Sequence, residues 1–150
     1  MRVVIQRVSH AHVTIAGKMN GSIEKGLMIL VGIEENDGEE DVGWLAKKCV
    51  NMRIFDDERG VMNRSIQDVG GDILLISQFT LHALTAKGNR PSYIKAAKPE
   101  IAIPVYNAFI TRLESLLDKK IEVGVFGADM KVTLTNDGPV TILIDSKRKE

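Results

Sequence analysis

The chain has a single cysteine, Cys49, among 150 residues. An intrachain disulfide is therefore excluded, and a zinc site built on several cysteines lacks the ligands it needs. Aromatic residues make up only 5% of the sequence, too few for the stacking surface of a general nucleic-acid binder. Charge of either sign is not in excess, with 20 Lys+Arg against 20 Asp+Glu. No global positive field would gather RNA, so any such contact must come from a local patch or a shaped pocket. Long apolar runs are missing as well: the longest, Leu27 to Val31, is far too short to span a bilayer. Met1 leads straight into Arg2-Val3-Val4-Ile5 with no signal-like segment. A cytoplasmic protein with no membrane partner is the expectation. Also missing are a glycine-rich phosphate loop, a nucleophile elbow and metal-ligand spacing, so no cofactor and no metal are expected.

What remains is 44% hydrophobic and 27% charged, the balance of one compact domain spanning residues 1–150. A chain of this length buries about 70% of the surface it exposes when unfolded. Val3 to Val8 reads as a strand. Ala11 to Ile15 reads as a second, with Val13 and Ile15 alternating against His12 and Thr14. Met19-Asn20-Gly21 carries the signal of a tight hairpin turn. Leu27 to Val31, apolar on both faces, predicts a central strand. The acidic segment Glu34 to Asp41 leads into a helix whose stripe is Val42, Leu45, Cys49 and Met52. Asp56 to Gly60 reads as a turn, and Ile73 to Ile76 as another buried strand. A second helix lies between about Pro99 and Leu117, with Val105, Phe109, Leu113 and Leu116 on its apolar side. Pro104 either starts this helix or sits within it. Strands over Val123 to Leu134 and Val140 to Ile144 close the chain, joined by Asn136-Asp137-Gly138-Pro139. Seven or so strands and two helices that do not alternate regularly predict an α+β fold. Its form would be a mixed, mostly antiparallel sheet curled toward a barrel, with two outer helices.

Three segments stand apart. Ser77-Gln78-Phe79-Thr80-Leu81 brings polar side chains directly after four aliphatic residues. These either satisfy a strand end or turn backbone N–H groups toward a substrate oxygen. Asn136-Asp137-Gly138-Pro139-Val140-Thr141 reads on its own as a tight turn. Lys87-Gly88-Asn89-Arg90-Pro91-Ser92-Tyr93-Ile94-Lys95, with Lys98 beyond, is basic with no acid until Glu100. It is either a solvated loop or a place to hold an RNA phosphate. The histidines His10, His12 and His82 do not assemble an acid–base pair, and two on one strand face make a poor metal site.

Together with Val4-Ile5-Gln6-Arg7-Val8 and Phe126-Gly127-Ala128-Asp129-Met130, these segments resemble the D-aminoacyl-tRNA deacylase family in order and spacing. Tyr93 stands where that family often has Phe, and Pro104 is unusual within its helix. The resemblance implies the deacylase-type fold and a homodimer with active sites at the subunit interface, acting on aminoacyl-tRNA. It places Ser77, Gln78, Phe79 and Thr80 at the catalytic centre, with the Phe79 and Thr80 N–H groups as oxyanion donors or the Thr80 hydroxyl as nucleophile. Gly138-Pro139 would be a cis pair that enters the partner's site and excludes L side chains, supported from behind by Arg7. Phe126 and Met130 would line an adenosine pocket, while Lys87, Arg90 and Lys95 are candidates for tRNA phosphates. Two rivals stand beside it: a non-catalytic nucleic-acid-binding module, and the paralogous branch that edits L-alanyl-tRNA.

Overall fold

The computed structural model describes all 150 residues. The chain opens with three antiparallel strands, β1 (Arg2–Ile15), β2 (Lys18–Ile23) and β3 (Gly26–Gly32). Helix α1 (Glu39–Asn51) and a small hairpin of β4 (Phe55–Asp56) and β5 (Met62–Arg64) follow. Then come β6 (Asp72–Ser77), a 3₁₀ turn (Phe79–His82), α2 (Pro99–Leu117), β7 (Glu122–Val123) and β8 (Met130–Asp145). The main sheet runs β2-β1-β3-β6-β7, and β8 also pairs with β1. β3–β6 and β6–β7 are parallel, and the other main-sheet pairs are antiparallel. The fold is thus α+β, a mixed sheet nearly closed into a barrel with two helices, as expected.

Two apolar clusters explain why β3 and β6 are hydrophobic on both faces. Leu27, Ile29, Val31, Ile73 and Leu75 face α1 and α2, meeting Leu45, Cys49, Phe109 and Leu113. Met28, Leu74 and Ile76 face the other way, against Val8, Ala11 and Val13 of β1 and Ile23 of β2. β1 serves both clusters because it kinks. Val3 and Ile5 belong to the first and Val8 to the second, so the two-residue alternation slips between Arg7 and Val8. The register with β8 shifts at the same place.

Three local expectations give way. The separate strands expected over Val3–Val8 and Ala11–Ile15 are one 14-residue strand, since the kink interrupts alternation without interrupting pairing. The hairpin turn falls at Ala16-Gly17, with φ of 50° and 75°, and not at Asn20-Gly21. A two-residue loop needs both residues left-handed, which Gly17 meets without cost. Asn20 instead lies within β2 and donates to the Val123 carbonyl at 2.8 Å. Asn136 to Pro139 is no hairpin turn either, because β8 continues along the same edge of β1 on both sides of it. The segment Val123–Leu134 is divided between β7 and the start of β8. In α2 the choice left open is settled: the helix begins at Pro99 and runs through Pro104.

The chain ends are clasped together. The Met1 amino group donates to Asp37 Oδ1 at 2.6 Å and to Ser146 Oγ at 3.0 Å. Asp41 accepts from Ser146 Oγ at 2.6 Å, from Lys147 Nζ at 2.8 Å and from the Gly38 N–H at 3.0 Å. Burial alone would raise the Asp41 carboxyl. The hydrogen bonds from Lys147, Ser146 and Gly38, with the Lys147 charge, outweigh it and bring the pKa from 3.8 to about 2. A carboxyl depressed on folding stabilises fully above its unfolded value and loses that contribution as pH falls through the folded one. Asp41→Asn should therefore show a shallower loss of stability between pH 4 and 2 than wild type in acid denaturation followed by circular dichroism. Identical acid limbs would show that the clasp contributes nothing.

Candidate active site

Where β6 runs out of the core, the polar residues Ser77 and Gln78 meet an apolar cavity of about 330 Å³. Its walls include Val31 and Ile33 from the end of β3, and Ala97 and Ala102 at the start of α2. The segment Phe126 to Met130 closes the other side. Phe126 is backed by the buried Tyr106 ring, 5.8 Å centroid to centroid. Burial pushes the Tyr106 phenol up to about 12, so it stays protonated.

The 3₁₀ turn begins at the rim of this cavity. Phe79 and Thr80 are its first residues, so their N–H groups have no acceptor within the turn itself. The first turn of a helix leaves such donors free by construction. The Gln78 N–H, by contrast, is spent on the Val31 carbonyl at 2.7 Å. The Gln78 amide donates to Thr80 Oγ1 at 2.6 Å. Phe79 is 54% exposed and lies edge-on to Tyr93, 5.1 Å between centroids. That contact ties the basic loop to the rim, and the Leu84–Ser92 bridge closes the loop beneath it. Lys87, Arg90 and Lys95 are all exposed there.

Gly138 and Pro139 lie elsewhere. Gln6 pairs with Thr141 and Val8 with Asn136, so Asp137 to Val140 bulge out opposite Arg7 alone. The Gly138–Pro139 peptide is cis, and both residues are exposed. Gly138 has φ of +137°, and a β-carbon there would sit 2.7 Å from Val140 Cγ2 and 3.0 Å from Arg7 Nη2. The buried Arg7 donates from Nε to the Asp137 carbonyl at 2.9 Å and from Nη1 to the Ile54 carbonyl at 2.7 Å. Arg7 pairs with Leu27, whereas the cavity opens at Val31. Four residues along β3 separate them, ~13 Å at the usual strand rise. Within one chain, the bulge does not line the cavity.

Residues 4–145 match the family model described as D-Tyr-tRNA(Tyr) deacylase. The chain belongs to this family. A Bacteroides thetaiotaomicron protein named D-aminoacyl-tRNA deacylase is 67% identical over 150 residues, the whole of both chains. One of the same name from Flavobacterium psychrophilum is 63% identical, again over all of both chains. A solved structure called c-Myc DNA Unwinding Element Binding Protein superposes with a TM-score of 0.91 at 38% identity, covering 97% of this chain and 98% of its own. Another, described as a probable eukaryotic D-amino acid tRNA deacylase, has a TM-score of 0.82 at 15% identity, covering 95% and 97% respectively, and this likeness speaks to the fold.

In this family member, the structure brings Ser77, Gln78, Phe79, Phe126 and Met130 around one cavity. Thr80 is held beside them by Gln78. It keeps Arg7 with Gly138 and Pro139 in a second group. Sequence reasoning missed Val31, Ile33, Ala97, Ala102 and Val132 as lining residues, since small and aliphatic residues carry no sign of a cavity. His10 stands near Thr135, its Nε2 3.3 Å from Oγ1, and His82 is fully buried behind the 3₁₀ turn. Cys49 is core: burial pushes its thiol up to about 12, leaving it inert. Gly124 was also overlooked. A β-carbon there would collide with the Met130 sulfur, the flexible end of a side chain that can swing away. Gly124→Ala is expected to fold normally, shift the Met130 methyl resonance, and change KM for aminoacyl-tRNA more than kcat. The scale is roughly tenfold, that of a methylene in an apolar pocket. An unmoved methyl resonance with unchanged KM would remove Met130 from the binding wall.

Proposed function

We propose that this protein hydrolyses the ester joining a D-amino acid, or mischarged glycine, to the terminal adenosine of tRNA in the cytoplasm. The observation carrying this reading is the pair of first-turn N–H groups of Phe79 and Thr80 beside an apolar cavity. It stands in a chain 60% to 68% identical to proteins named D-aminoacyl-tRNA deacylase. An aminoacyl ester is already activated by the neighbouring ribose hydroxyl, so no strong nucleophile is required. The two N–H groups meet the oxyanion as water adds to the carbonyl, and one such donor is typically worth ~10²–10³ in rate. The substrate's 2′-hydroxyl helps activate that water. Phe126 and Met130 pack on the adenine, and Lys87, Arg90 and Lys95 hold backbone phosphates. The Thr80 hydroxyl accepts from the Gln78 amide, which is no base, so the nucleophile role lacks its partner.

Rejection of the L ester falls to Gly138-Pro139 of a second copy. The bulge lies ~13 Å along the strand from its own chain's cavity, and it is exposed. Both facts favour a homodimer in which each bulge serves the other site. Its carbonyls fill the space an L side chain needs, while a D side chain points elsewhere and glycine has none. One pocket must admit many D side chains, so exclusion serves where individual recognition cannot. Arg7 fixes the bulge from behind.

The name of the structural neighbour at 38% identity points to DNA contact and keeps a binding-module reading in view. Deacylation of matched D- and L-tyrosyl-tRNA, with chelator present, decides between them. Hydrolysis of the D ester alone is expected. Steeply salt-dependent binding without product would favour the module, and cleavage of L-alanyl-tRNA would favour the paralogous editing branch. Thr80→Ala should keep most of the activity because its N–H survives, whereas a loss of about a thousandfold with the fold intact would make the hydroxyl the nucleophile. Arg7→Ala should loosen the bulge and admit the L ester. Unchanged D/L selectivity in a folded, dimeric Arg7→Ala protein whose Gly138-Pro139 resonances show the bulge displaced would refute exclusion by Gly138-Pro139.

A further inference from the structure

His82 is the last residue of the 3₁₀ turn whose first two residues are Phe79 and Thr80. Its side chain is completely buried, yet neither ring nitrogen makes a hydrogen bond. Buried polar groups are nearly always satisfied, so an orphaned imidazole calls for an explanation. Glu34 supplies one. Its Oε1 lies 3.2 Å from His82 Nδ1, within reach of a bond that a small rotation would align. Glu34 is anchored next to the cavity residues Ile33 and Ala97: its N–H donates to Asp37 Oδ2 at 2.7 Å, and it forms a bridge with Ala96. The ring has no slack on its other side, because a β-carbon on Gly32 would come within 2.9 Å of His82 Cδ2.

We propose that His82 is a positioning residue for hydrolysis: its ring, when protonated, bonds Glu34 and so fixes the turn that presents the Phe79 and Thr80 N–H groups. This rests on the backbone-donor reading of the site. Deprotonation replaces an ion-paired bond with a weaker one to the carboxylate alone or, when the remaining proton sits on Nε2, with none, and the turn gains freedom at the point where the oxyanion must be met. The charged groups around the ring are few. β1 contributes Arg2, which donates to the Leu81 carbonyl at 3.0 Å and is paired with Asp145 at 2.7 Å. β3 contributes no charged side chain. The segment after it contributes Glu34, with Asp37 beyond, engaged by the Met1 amino group. Glu34 is thus the carboxylate left to answer His82.

The test pairs NMR with kinetics across pH 5 to 8, the range in which histidine charge changes near neutrality. In wild type, the Phe79 and Thr80 amide resonances should move with the His82 ring signals. The ratio of wild-type to His82→Gln kcat for the D ester should fall at least threefold from low to high pH, with KM unchanged. The Gln amide can donate to Glu34 at every pH, so His82→Gln should keep the low-pH kcat. His82→Leu, which fills the space without bonding, should lose it. Glu34→Gln, which leaves His82 in place, should abolish the coupled amide shifts. Amides that ignore the His82 titration, or a His82→Leu protein with wild-type kcat and pH profile, would overturn the proposal. Amides that follow the titration while kcat stays flat would support the latch and refute the backbone-donor reading on which it was built.

Discussion

A buried guanidinium holds the two halves of the molecule in register. Arg7 sits where β1 passes from the helix-covered core to the barrel interior, and its side chain is 9% exposed. A buried charge destabilises unless its donors are met. Here two are spent on carbonyls, Asp137 of the β8 bulge and Ile54 after α1. Asp56 and Asp137 add carboxylates at 3.2 and 3.8 Å, but both are more than half exposed, so solvent screening leaves those pairs minor. The carbonyl bonds to a charged donor, each about 1.5–3 kcal/mol, matter most. They join β1, β8 and the segment leaving α1 at one point. Strand kink, bulge and the exposure of Gly138 and Pro139 all follow from it.

The candidate chemistry is built from backbone in the same way. At the cavity rim the free groups are amide N–H donors on a 3₁₀ turn, and on the bulge they are residues whose side chains are a hydrogen atom and a ring. On the proposed function this suits the task. A site that must accept unlike side chains gains nothing from side-chain recognition, whereas main-chain groups sit at positions set by the fold. The neutral composition agrees with that proposal, in which tRNA phosphates are met by one basic loop, pinned by the Phe79–Tyr93 contact.

How much of this was readable in the sequence depends on the range of the interactions involved. Both long helices and the central strands β3 and β6 were readable, because stripes and two-sided apolar runs are local patterns reinforced by tertiary burial. The unity of β1 was not, since the slip at Arg7-Val8 is set by β8 from 130 residues away. Likewise the continuity of β8 was hidden by Gly-Pro, letters that signal a turn unless a buried arginine holds them. The hairpin was misplaced by four residues because Asn-Gly outranks Ala-Gly as a local signal, while β7 had another use for Asn20. As for the site, the polar break at Ser77-Gln78 was visible, and the family motifs gave it meaning. Ala97, Ala102 and Ile33 had no such mark, because a cavity wall and a core are made of the same residues.

On the proposed function, freedom at the rim is what the site has to control. N–H donors stabilise a developing charge only when they are already oriented, since reorganisation during reaction would consume the benefit. A turn of four residues with one side-chain tie, Gln78 to Thr80, is a weak platform by itself. Its other attachments are the Arg2 bond to the Leu81 carbonyl and the packing of His82 beneath it. Arg2 is in turn paired with Asp145 at the end of β8, next to the clasp that joins Asp41, Ser146 and Lys147. The turn is therefore steadied from both ends of the chain, and on the proposed function the preorganisation of its two N–H dipoles depends on the nearly closed sheet rather than on any local motif.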